Sequence, residues 1–381
     1  MPPSDAPPHG EARSGASLTV DLDALVANWK DLAARTQPAR TGAVVKADAY
    51  GLGIGPIATA LANAGCTTFF VALPAEGIAL RALLPDAEIF VFVGVLSTPE
   101  AEIMAERRLA PVLNDLGQIE RFAAFARVRD RRFPCAVHID TGMNRLGLSP
   151  AEFVTLATEP ERLAPLDVAL VMSHLACAHE PDHPMNERQL AAFSSAKRHI
   201  GTGARLSLAN SAGIFLGKSY HFDLVRPGAA LYGLAPLMES PNPMRNVVRL
   251  TAPIVQVRDV DSPGTVGYGA THRVAERSKI VTISAGYADG YGFSLSNRGH
   301  AFLGAARLPV VGRVSMDLIT LDATDAPADA LRPGAEIELI GPHISADDVA
   351  RDAGVIGYEV LTRLGARLRR RYIGAAAKGA L

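Results

Sequence analysis

The chain has 381 residues, of which 48% are hydrophobic and 20% charged, and its formal net charge is −1. This is a globular composition in a chain too long for one ordinary core, so two domains are expected, one of which can be a large barrel. A neutral chain has no bulk field for nucleic acid or anionic lipid, and no apolar stretch reaches the roughly 18 residues of a membrane helix, so neither partner is expected.

Residues 1–15, MPPSDAPPHGEARSG, predict a disordered tail, because they have neither the basic nor the apolar region of a signal peptide. The three cysteines, Cys66, Cys135 and Cys177, are odd in number and widely spaced. That pattern is typical of reduced core thiols, and it indicates a cytoplasmic protein.

From about residue 18 the chain alternates short apolar runs with segments of helical composition. After a leading segment, TVDLDALVANWKDLAA, the runs lie at 42–46, 69–73, 89–93, 110–114, 135–140, 168–174, 205–210 and 222–226. Continuous apolar runs suit strands buried on both faces of a parallel sheet. The eight runs therefore predict a TIM-type (β/α)8 barrel over residues 16–244.

Polar residues stand at the C-terminal ends of these runs, where barrel enzymes carry their active sites. They are Lys46, Asn114, Asp140, His174, Asn210 and Arg226. Apolar walls around Lys46 would lower the pKa of its amine and make it a nucleophile or base, as in Schiff-base chemistry. The alternative is a lysine that merely reaches solvent at a strand end.

Two glycine-containing loops, SLANSAG (207–213) and LVRPGAALYG (224–233), follow the seventh and eighth runs. Barrels often bind phosphate at these positions through backbone N–H groups and a helix N-terminus. Gly228 would allow close approach and Ser211 offers a hydroxyl. Arg226 keeps its proton, so it either donates to a pyridine nitrogen, leaving the ring unprotonated, or clamps a phosphate or carboxylate.

Two polar clusters have ordinary structural interpretations. His174, His179 and His183 lie near Asp182, but their mixed spacing and the intervening prolines indicate a polar loop, so no metal is expected. Five arginines fall within residues 363–371. In a neutral chain they indicate a solvated or salt-bridged surface instead of a nucleic-acid site.

The pattern changes after residue 245. The segments VVRLTAPIVQVRDV, KIVTISAGY, PVVGRVSMDLITLD and AEIELIG alternate apolar and polar residues between turn sequences such as GYG and RPG. Antiparallel strands with one solvated face are predicted, hence a smaller β domain over residues 245–381. Its last segment, YEVLTRLGARLRRRYIG, is expected to be helical.

Taken together, the motifs closely resemble the alanine racemase family, pyridoxal 5′-phosphate (PLP) enzymes of fold type III. The resemblance runs from about residue 17 to 374 and rests on AVVKADAYGLG, HIDTGMNRLG, SHLACA, SLANSAG, LVRPGAALYG, VGYGAT, SAGYADGY, VGRVSMD and GYEVLTRLGARLRR, in the family's order. It implies an isomerase that interconverts L-alanine and D-alanine, with PLP as cofactor.

The resemblance also implies roles for single residues. Lys46 would carry the cofactor and act as one base at the substrate Cα, and Tyr268 of the partner subunit would act on the opposite face, so a homodimer with shared active sites is expected. The residues implied in cofactor binding are Lys46, Tyr50, His174, Asn210, Ser211, Arg226, Gly228, Ala229 and Tyr358. Those implied at the substrate carboxylate are Arg145, Met316 through its backbone N–H, and Asp317.

Two positions depart from the family pattern. Many members have a carbamylated lysine seven residues before the arginine of DTGMNR. Here that position is His138, and we expect an anion such as chloride, or another carboxylate, beside Arg145. Phe293 stands where relatives are often basic, which predicts a less polar entrance.

Three other functions remain compatible with part of the pattern. PLP decarboxylases share the architecture, but they pair the ring nitrogen with an acid, where this chain has Arg226. A non-catalytic PLP carrier would need no β domain. A PLP-free aldolase would use Lys46 alone. Alanine differs from other small amino acids by groups worth only about 1–3 kcal/mol in a pocket, so the substrate range stays open. A role in D-alanine supply for the cell wall and a role in alanine catabolism also stay open.

Overall fold

The computed structural model describes residues 15–196 and 203–379. They divide into two compact units. The barrel unit comprises Asp21–Val247 and the described residues from Ile373 onward, and the β unit comprises Val248–Tyr372 and the described residues before Asp21. Apart from Gly15, the expected tail over residues 1–15 lies outside the described residues.

The first two elements of the described part of the chain are strand β1 (Ser17–Asp21) and helix α1 (Leu22–Thr36). The strands that follow in the barrel unit are β2 (Arg40–Thr41), β3 (Ala43–Val44), β4 (Thr68–Val71), β5 (Glu88–Val91), β6 (Ala110–Leu113), β7 (Pro134–His138), β8 (Asp167–Met172), β9 (Arg205–Ser207) and β10 (Leu224–Val225). The helical segments between them are α2 (Lys46–Gly51), α3 (Ile54–Asn63), α4 (Pro74–Leu83), α5 (Thr98–Glu106), α6 (Leu116–Val128), α7 (Pro150–Thr158) and α8 (Pro184–Ala196).

The strands of this unit form a closed parallel ring. Strands β3 to β9 pair in chain order, and β2 pairs with β10. The gap between β9 and β10 is bridged where Asp223 N–H donates to Leu206 O (3.0 Å) and Arg226 N–H donates to Ala209 O (2.9 Å). Since β2 and β3 are separated only by Gly42, the ring has eight strand positions, and the predicted (β/α)8 barrel is confirmed.

Burial and capping explain why these segments fold as predicted. Every residue of β4 and of β6 is buried, as expected for strands covered on both faces. Helices α5 and α6 are capped by the residues that precede them, Ser97 and Asp115, whose side chains accept backbone N–H groups of the first turn. Strand-to-helix corners at this end of the barrel are therefore fixed by local hydrogen bonds.

The β unit contains the remaining elements. Its strands are β11 (Val248–Val260), β12 (Gly264–Val266), β13 (His272–Val274), β14 (Ser278–Ile283), β15 (His300–Leu303), β16 (Ala306–Pro309), β17 (Ile319–Asp322), β18 (Glu336–Ile340) and β19 (Arg369–Ile373), and its helices are α9 (Ala346–Ala353) and α10 (Gly357–Thr362). The long strand β11 pairs with β1, β14 and β18, antiparallel in each case. The expected mainly antiparallel domain is confirmed.

Two segments differ from expectation. Ser17–Val20, predicted within the barrel, pairs with β11, and its buried Leu18 and Val20 add to the core of the β unit. The expected helix at the end of the chain is wrong beyond Thr362: Gly365 approaches Ala288 O too closely for a side chain, and Arg369–Ile373 forms β19 beside β1.

The arginine-rich segment is used structurally. Arg363 pairs with Glu359 and Arg367 pairs with Asp289, as the salt-bridge interpretation predicts, while Arg369 donates a hydrogen bond to Ser17. Among the described residues, none of the helices is both long and apolar enough to span a membrane.

Candidate active site

The six polar residues predicted at strand ends lie where the barrel strands finish. Lys46 follows β3, Asn114 follows β6, Asp140 follows β7, His174 follows β8, Asn210 follows β9 and Arg226 follows β10. The C-terminal ends of parallel strands meet on one face of a barrel. The sequence pattern therefore located the face that carries the candidate site.

Lys46 opens a left-handed turn. Residues 47–50 have φ between 52° and 59°, although none of them is a glycine. Left-handed backbone costs an L-residue roughly 1–2 kcal/mol, and strain of this kind clusters at functional sites. The turn is held where Ala47 N–H donates to the Glu76 carboxylate (2.6 Å) and Ile54 N–H donates to Asp48 (2.8 Å). It fixes Lys46 at one end and Tyr50 at the other.

The electrostatic surroundings of Lys46 favour its neutral amine. Burial lowers the pKa of Lys46, and the nearby positive charge of Arg145 lowers it further, whereas Glu76 acts in the opposite direction. The pKa of His174 is lowered well below its usual value by burial, then by the charges of Arg226 and Arg145. His174 is therefore neutral, and Lys46 loses its proton more readily than an exposed lysine.

Arg226 is almost fully enclosed, with only 1% of its surface exposed. One terminal nitrogen donates to Ser207 Oγ, and the other donates to Ser173 O (2.7 Å) and lies 3.4 Å from His174 Nδ1. Within the described part of the chain its Nε is buried and has no hydrogen-bond partner. Burial lowers the pKa of Arg226 to about 9, so the guanidinium is charged at neutral pH and Nε–H remains an uncommitted donor.

His138, which replaces the lysine common in the family pattern, is tied to Asn114. Asn114 Nδ2 donates to Phe92 O (3.0 Å) and Val112 O (2.8 Å), so Asn114 Oδ1 must accept. The 2.8 Å contact then requires His138 Nδ1 to carry the proton. Burial lowers the pKa of His138 to about 4, helped by Arg226, so the ring is neutral. The anion expected beside Arg145 stays a prediction.

Small residues and hydroxyl groups gather after β9 and β10. Ser211 Oγ accepts the N–H groups of Gly228 (2.9 Å) and Ala230 (3.2 Å). A Cβ at Gly228 would collide with Tyr50 Oη, so only glycine permits this approach. Asn210 Oδ1 accepts Gly213 N–H (2.9 Å), and a short 3-10 helix, Ala229–Tyr232, starts directly after Gly228. Such a group of hydroxyls and helix starts suits an anion.

Arg145 lies on a loop that Asp140 organises. Asp140 Oδ1 accepts the N–H groups of Gly142 (2.8 Å) and Met143 (2.9 Å), and Asn144 adopts a left-handed φ of 55°. Arg145 itself is exposed. Of the three clustered histidines only His174 contacts the Arg226 guanidinium, whereas His183 accepts Met185 N–H (3.1 Å) and His179 lies beside Glu180 (3.3 Å).

The other four predicted residues, Tyr268, Met316, Asp317 and Tyr358, belong to the β unit. Tyr268 is 73% exposed at the tip of the β12–β13 hairpin. The hairpin is anchored in a small core formed by Val266, Val274, Ile280 and Val311. The base of the hairpin is therefore fixed by apolar packing, while the Tyr268 side chain projects into solvent. Tyr358 lies in the first turn of α10 and is partly exposed.

The loop that contains Met316 is fixed through its backbone. Ala288 N–H donates to Met316 O (3.1 Å), and a Cβ at Gly286 would collide with that oxygen. Arg367 donates to Asp317 (2.7 Å) and grips the buried Asp289 with two hydrogen bonds (2.6 and 2.9 Å). The carbonyl side of the Met316 peptide is thus committed, and its side chain is 53% exposed.

Three residues that organise the site were not predicted from the sequence: Glu76, Ser207 and Arg367. Glu76 occupies the third position of α4, where a glutamate usually caps its own helix. Ser207 and Arg367 act through partners 19 and 50 or more residues away. No local pattern reveals such contacts.

Comparison with known proteins gives a consistent result. Residues 20–236 match the family model "Alanine racemase, N-terminal domain", and residues 247–372 match "Alanine racemase, C-terminal domain". An alanine racemase of Rhodospirillum rubrum is 50% identical over 366 residues, 96% of this chain and 97% of that relative. A catabolic alanine racemase of Agrobacterium fabrum is 47% identical, covering 95% of this chain and 94% of its own length.

A solved structure extends the comparison. The crystal structure of alanine racemase from Bartonella henselae, with covalently bound pyridoxal phosphate, superposes with a TM-score of 0.91. It is 41% identical, and the match covers 94% of this chain and 100% of that one.

Proposed function

The chain belongs to the alanine racemase family, and from this premise we propose how its residues interconvert L-alanine and D-alanine with pyridoxal phosphate. The family assignment makes it a PLP-dependent isomerase. The residue roles that follow, the use of two bases and the dimer are our proposal.

The unpartnered Nε–H of Arg226 is the observation that carries the cofactor assignment. A pyridine nitrogen is an acceptor that would satisfy this buried donor, and burial without such a partner is costly. A charged guanidinium cannot pass its proton to the ring, so the ring nitrogen stays unprotonated. An arginine at this position does not match the PLP decarboxylases, which pair the ring nitrogen with an acid. An unprotonated ring is also a poorer electron sink, which disfavours transamination.

The phosphate would lie among Tyr50, Ser211, Gly228 and Ala229, with Asn210 and Tyr358 as further contributors. The support is the close approach of Tyr50 Oη to Gly228 and the Ser211 hydroxyl, whose oxygen accepts two N–H groups and whose hydrogen can be donated to an anion. Lys46, at the other end of the strained turn, would hold the cofactor covalently. His174, neutral and beside Arg226, would pack behind the ring.

When bound, PLP supplies the electron sink that makes the Cα proton of alanine removable. Lys46, once the substrate amine has taken its place on the cofactor, would take or return that proton on one face, which its lowered pKa favours. Tyr268 does the same on the opposite face. Two groups on opposite sides invert the centre without either of them crossing the substrate plane. Arg145 and the backbone N–H of Met316 would bind the carboxylate, with Asp317 as support.

We propose that Tyr268 comes from a second copy of the chain. Large apolar side chains of the β unit remain exposed in the single chain, and they include Tyr268, Tyr287, Phe293, Met316, Ile356 and Tyr358. Where such side chains form a contiguous surface, that surface marks a protein contact, and we propose that they do so here. A cytoplasmic location is also proposed, on the basis of three unpaired cysteines, of which Cys66 and Cys135 are buried.

Proton NMR in D2O with chiral analysis tests the proposal. The purified protein with PLP and L-alanine should lose the Cα proton signal and produce D-alanine together. An intact Cα signal with no D-alanine would overturn it. L-serine, offered in the same way, tests the specificity for alanine over a substrate that differs by one hydroxyl.

A further inference from the structure

We infer that Glu76 is a positioning residue for Lys46: its carboxylate ties the left-handed turn after β3 to the end of β4 and so sets where the Lys46 amine stands. The inference rests on the proposed function, in which Lys46 holds the cofactor and moves the Cα proton. Among the described residues, the Glu76 carboxylate accepts backbone N–H groups of Ala47, Ala72 and Leu73, so the role inferred for it is positioning and not catalysis.

The carboxylate of Glu76 serves two neighbouring strand ends at once. Its Oε2 accepts the N–H groups of Ala72 (2.8 Å) and Leu73 (3.0 Å), directly after β4. Its Oε1 accepts Ala47 N–H (2.6 Å), the residue that follows Lys46. Capping helix α4 needs only Oε2, so Oε1 is available to hold the turn that follows Lys46.

The turn needs an external partner because its backbone is unfavourable. Several of its other hydrogen bonds, such as Ala49 N–H to Val45 O (3.0 Å) and Gly53 N–H to Asp48 O (2.9 Å), join residues of the same stretch of chain. The Glu76 contact comes from the next strand-helix unit and fixes the turn against the barrel. It acts at Ala47, the first left-handed residue, so its loss would free Lys46 more than Tyr50.

The charge of Glu76 is a second, separable effect. A carboxylate close to Lys46 favours the protonated amine and opposes the effect of burial and Arg145. Shortening the side chain to aspartate keeps the charge and removes the reach to Ala47. Replacement by glutamine keeps the length, removes the charge and turns one of the two acceptor oxygens into an NH2 group, which cannot accept a backbone N–H. Glu76→Asp therefore tests the bridge at constant charge, whereas Glu76→Gln tests the loss of charge together with the loss of one acceptor.

Glu100 offers a matched control. It occupies the corresponding third position of helix α5 and accepts Leu96 N–H (2.8 Å), so it caps its helix as Glu76 does. Its hydrogen bonds do not involve the turn after Lys46. Glu100→Asp should therefore reproduce any loss of helix capping without disturbing Lys46.

The experiment compares the full-length wild-type enzyme with Glu76→Asp, Glu76→Gln and Glu100→Asp. PLP affinity is measured from visible absorbance, and the share of Lys46 trapped by borohydride is measured by mass spectrometry. We expect Glu76→Asp to weaken PLP binding at least about tenfold, the scale of one hydrogen bond to a charged group, and to reduce trapping at Lys46. Glu100→Asp should stay within about twofold of wild type on the same scale.

The outcomes separate the inference from the proposed function. If wild type traps PLP at Lys46 and racemises alanine while Glu76→Asp matches Glu100→Asp in both readouts, the positioning role is wrong and the proposed function stands. A Glu76→Asp variant that keeps PLP while Glu76→Gln loses it also overturns the positioning role, because the shorter side chain keeps the charge without the reach to Ala47. Wild type that traps no PLP at Lys46 would overturn the proposed function itself.

Discussion

The barrel unit and the β unit hold their candidate site residues in opposite ways. In the barrel unit several candidate side chains are enclosed: Arg226 is 1% exposed and hydrogen-bonded to serine, histidine and backbone groups, and Ser211 is buried, whereas Arg145 is exposed. In the β unit the backbone is fixed while the side chains project outward, as Tyr268 and Met316 do at 73% and 53% exposure.

The difference indicates how the two parts acquire their final geometry. A buried, hydrogen-bonded group is preorganised by its own chain, which suits contacts with a cofactor. Tyr268 is exposed on a rigid hairpin and has few neighbours that enclose its ring, and a second molecule can enclose it. The comparison therefore agrees with a site in which one copy provides the barrel residues and another provides Tyr268.

Mixing two inactive variants tests that division most strongly. Lys46→Ala and Tyr268→Phe should each lose racemisation by about 10³-fold or more, since each removes a base. Only Lys46→Ala should also lose the visible absorbance of bound PLP. If dimers share their sites, random exchange between the two variants restores about a quarter of wild-type activity, because half of the dimers then have one intact site.

The control mixes Lys46→Ala with the double variant Lys46→Ala/Tyr268→Phe, in which no dimer has an intact site. Activity should remain at background. Subunit exchange is verified by native mass spectrometry with one isotopically labelled partner. Verified exchange without recovery in the first mixture would show that Tyr268 does not act across copies.

Acid stability sharpens the barrel side of the comparison. The pKa of His138 is about 4 when folded and about 6.5 when unfolded, so the unfolded chain binds the proton more tightly. Above pH 6.5 the ring is neutral in both states and does not affect the free energy of unfolding. As the pH falls towards 4, only the unfolded chain binds the proton, and the free energy of unfolding falls by about 3 kcal/mol. His138→Gln should make the free energy of unfolding less dependent on pH across this window, as measured by urea titrations at pH 7 and 4.5.

His179→Gln provides the reference for that measurement, because His179 is exposed. This variant removes an exposed imidazole and leaves the buried ring of His138 in place. Equal pH dependence in His138→Gln and wild type would mean that the ring of His138 is protonated as readily in the folded chain as in the unfolded one.

Much of this organisation was predictable from the sequence, and the exceptions have a physical cause. Continuous apolar runs identified the eight barrel strands, and strand ends identified Lys46, His174 and Arg226, because both signals are local. Glu76 and Arg367 escaped prediction because their partners belong to other segments, so only folding brings them together. The terminal arginines resembled a helix because composition does not reveal that Gly365 and strand β1 redirect the chain into β19.

Ser207→Ala measures how much stability is lost when a buried donor of the barrel unit, Arg226, loses its acceptor. It removes the acceptor from one terminal nitrogen of Arg226, which should lower the free energy of unfolding by about 1–3 kcal/mol. Ser315→Ala is the matched variant in the β unit, where an exposed hydroxyl donates to Leu318 O (2.8 Å), and it should cost less than about 1 kcal/mol. Equal losses in urea titrations would contradict the contrast between the two units.

Arg367→Gln is expected to have the smallest effect, and it tests whether the β unit works through its backbone. The substitution releases Asp317 from Asp289 and allows the Met316 peptide to shift, so its N–H would meet a substrate carboxylate less well. We expect KM for alanine to rise about 3- to 10-fold while kcat changes less than about twofold, as when binding shared by ground state and transition state is weakened.

Arg363→Gln removes a comparable exposed ion pair, with Glu359 in helix α10, and should leave both kinetic parameters unchanged. A fall in kcat at constant KM in Arg367→Gln would contradict a role confined to substrate binding. It would indicate that the loop around Met316 also aligns the reacting face. A rise in KM alone in Arg367→Gln would mean that the exposed Met316 belongs to a rigid binding site. Its rigidity would then come from the loop backbone, which Arg367 ties to the buried Asp289.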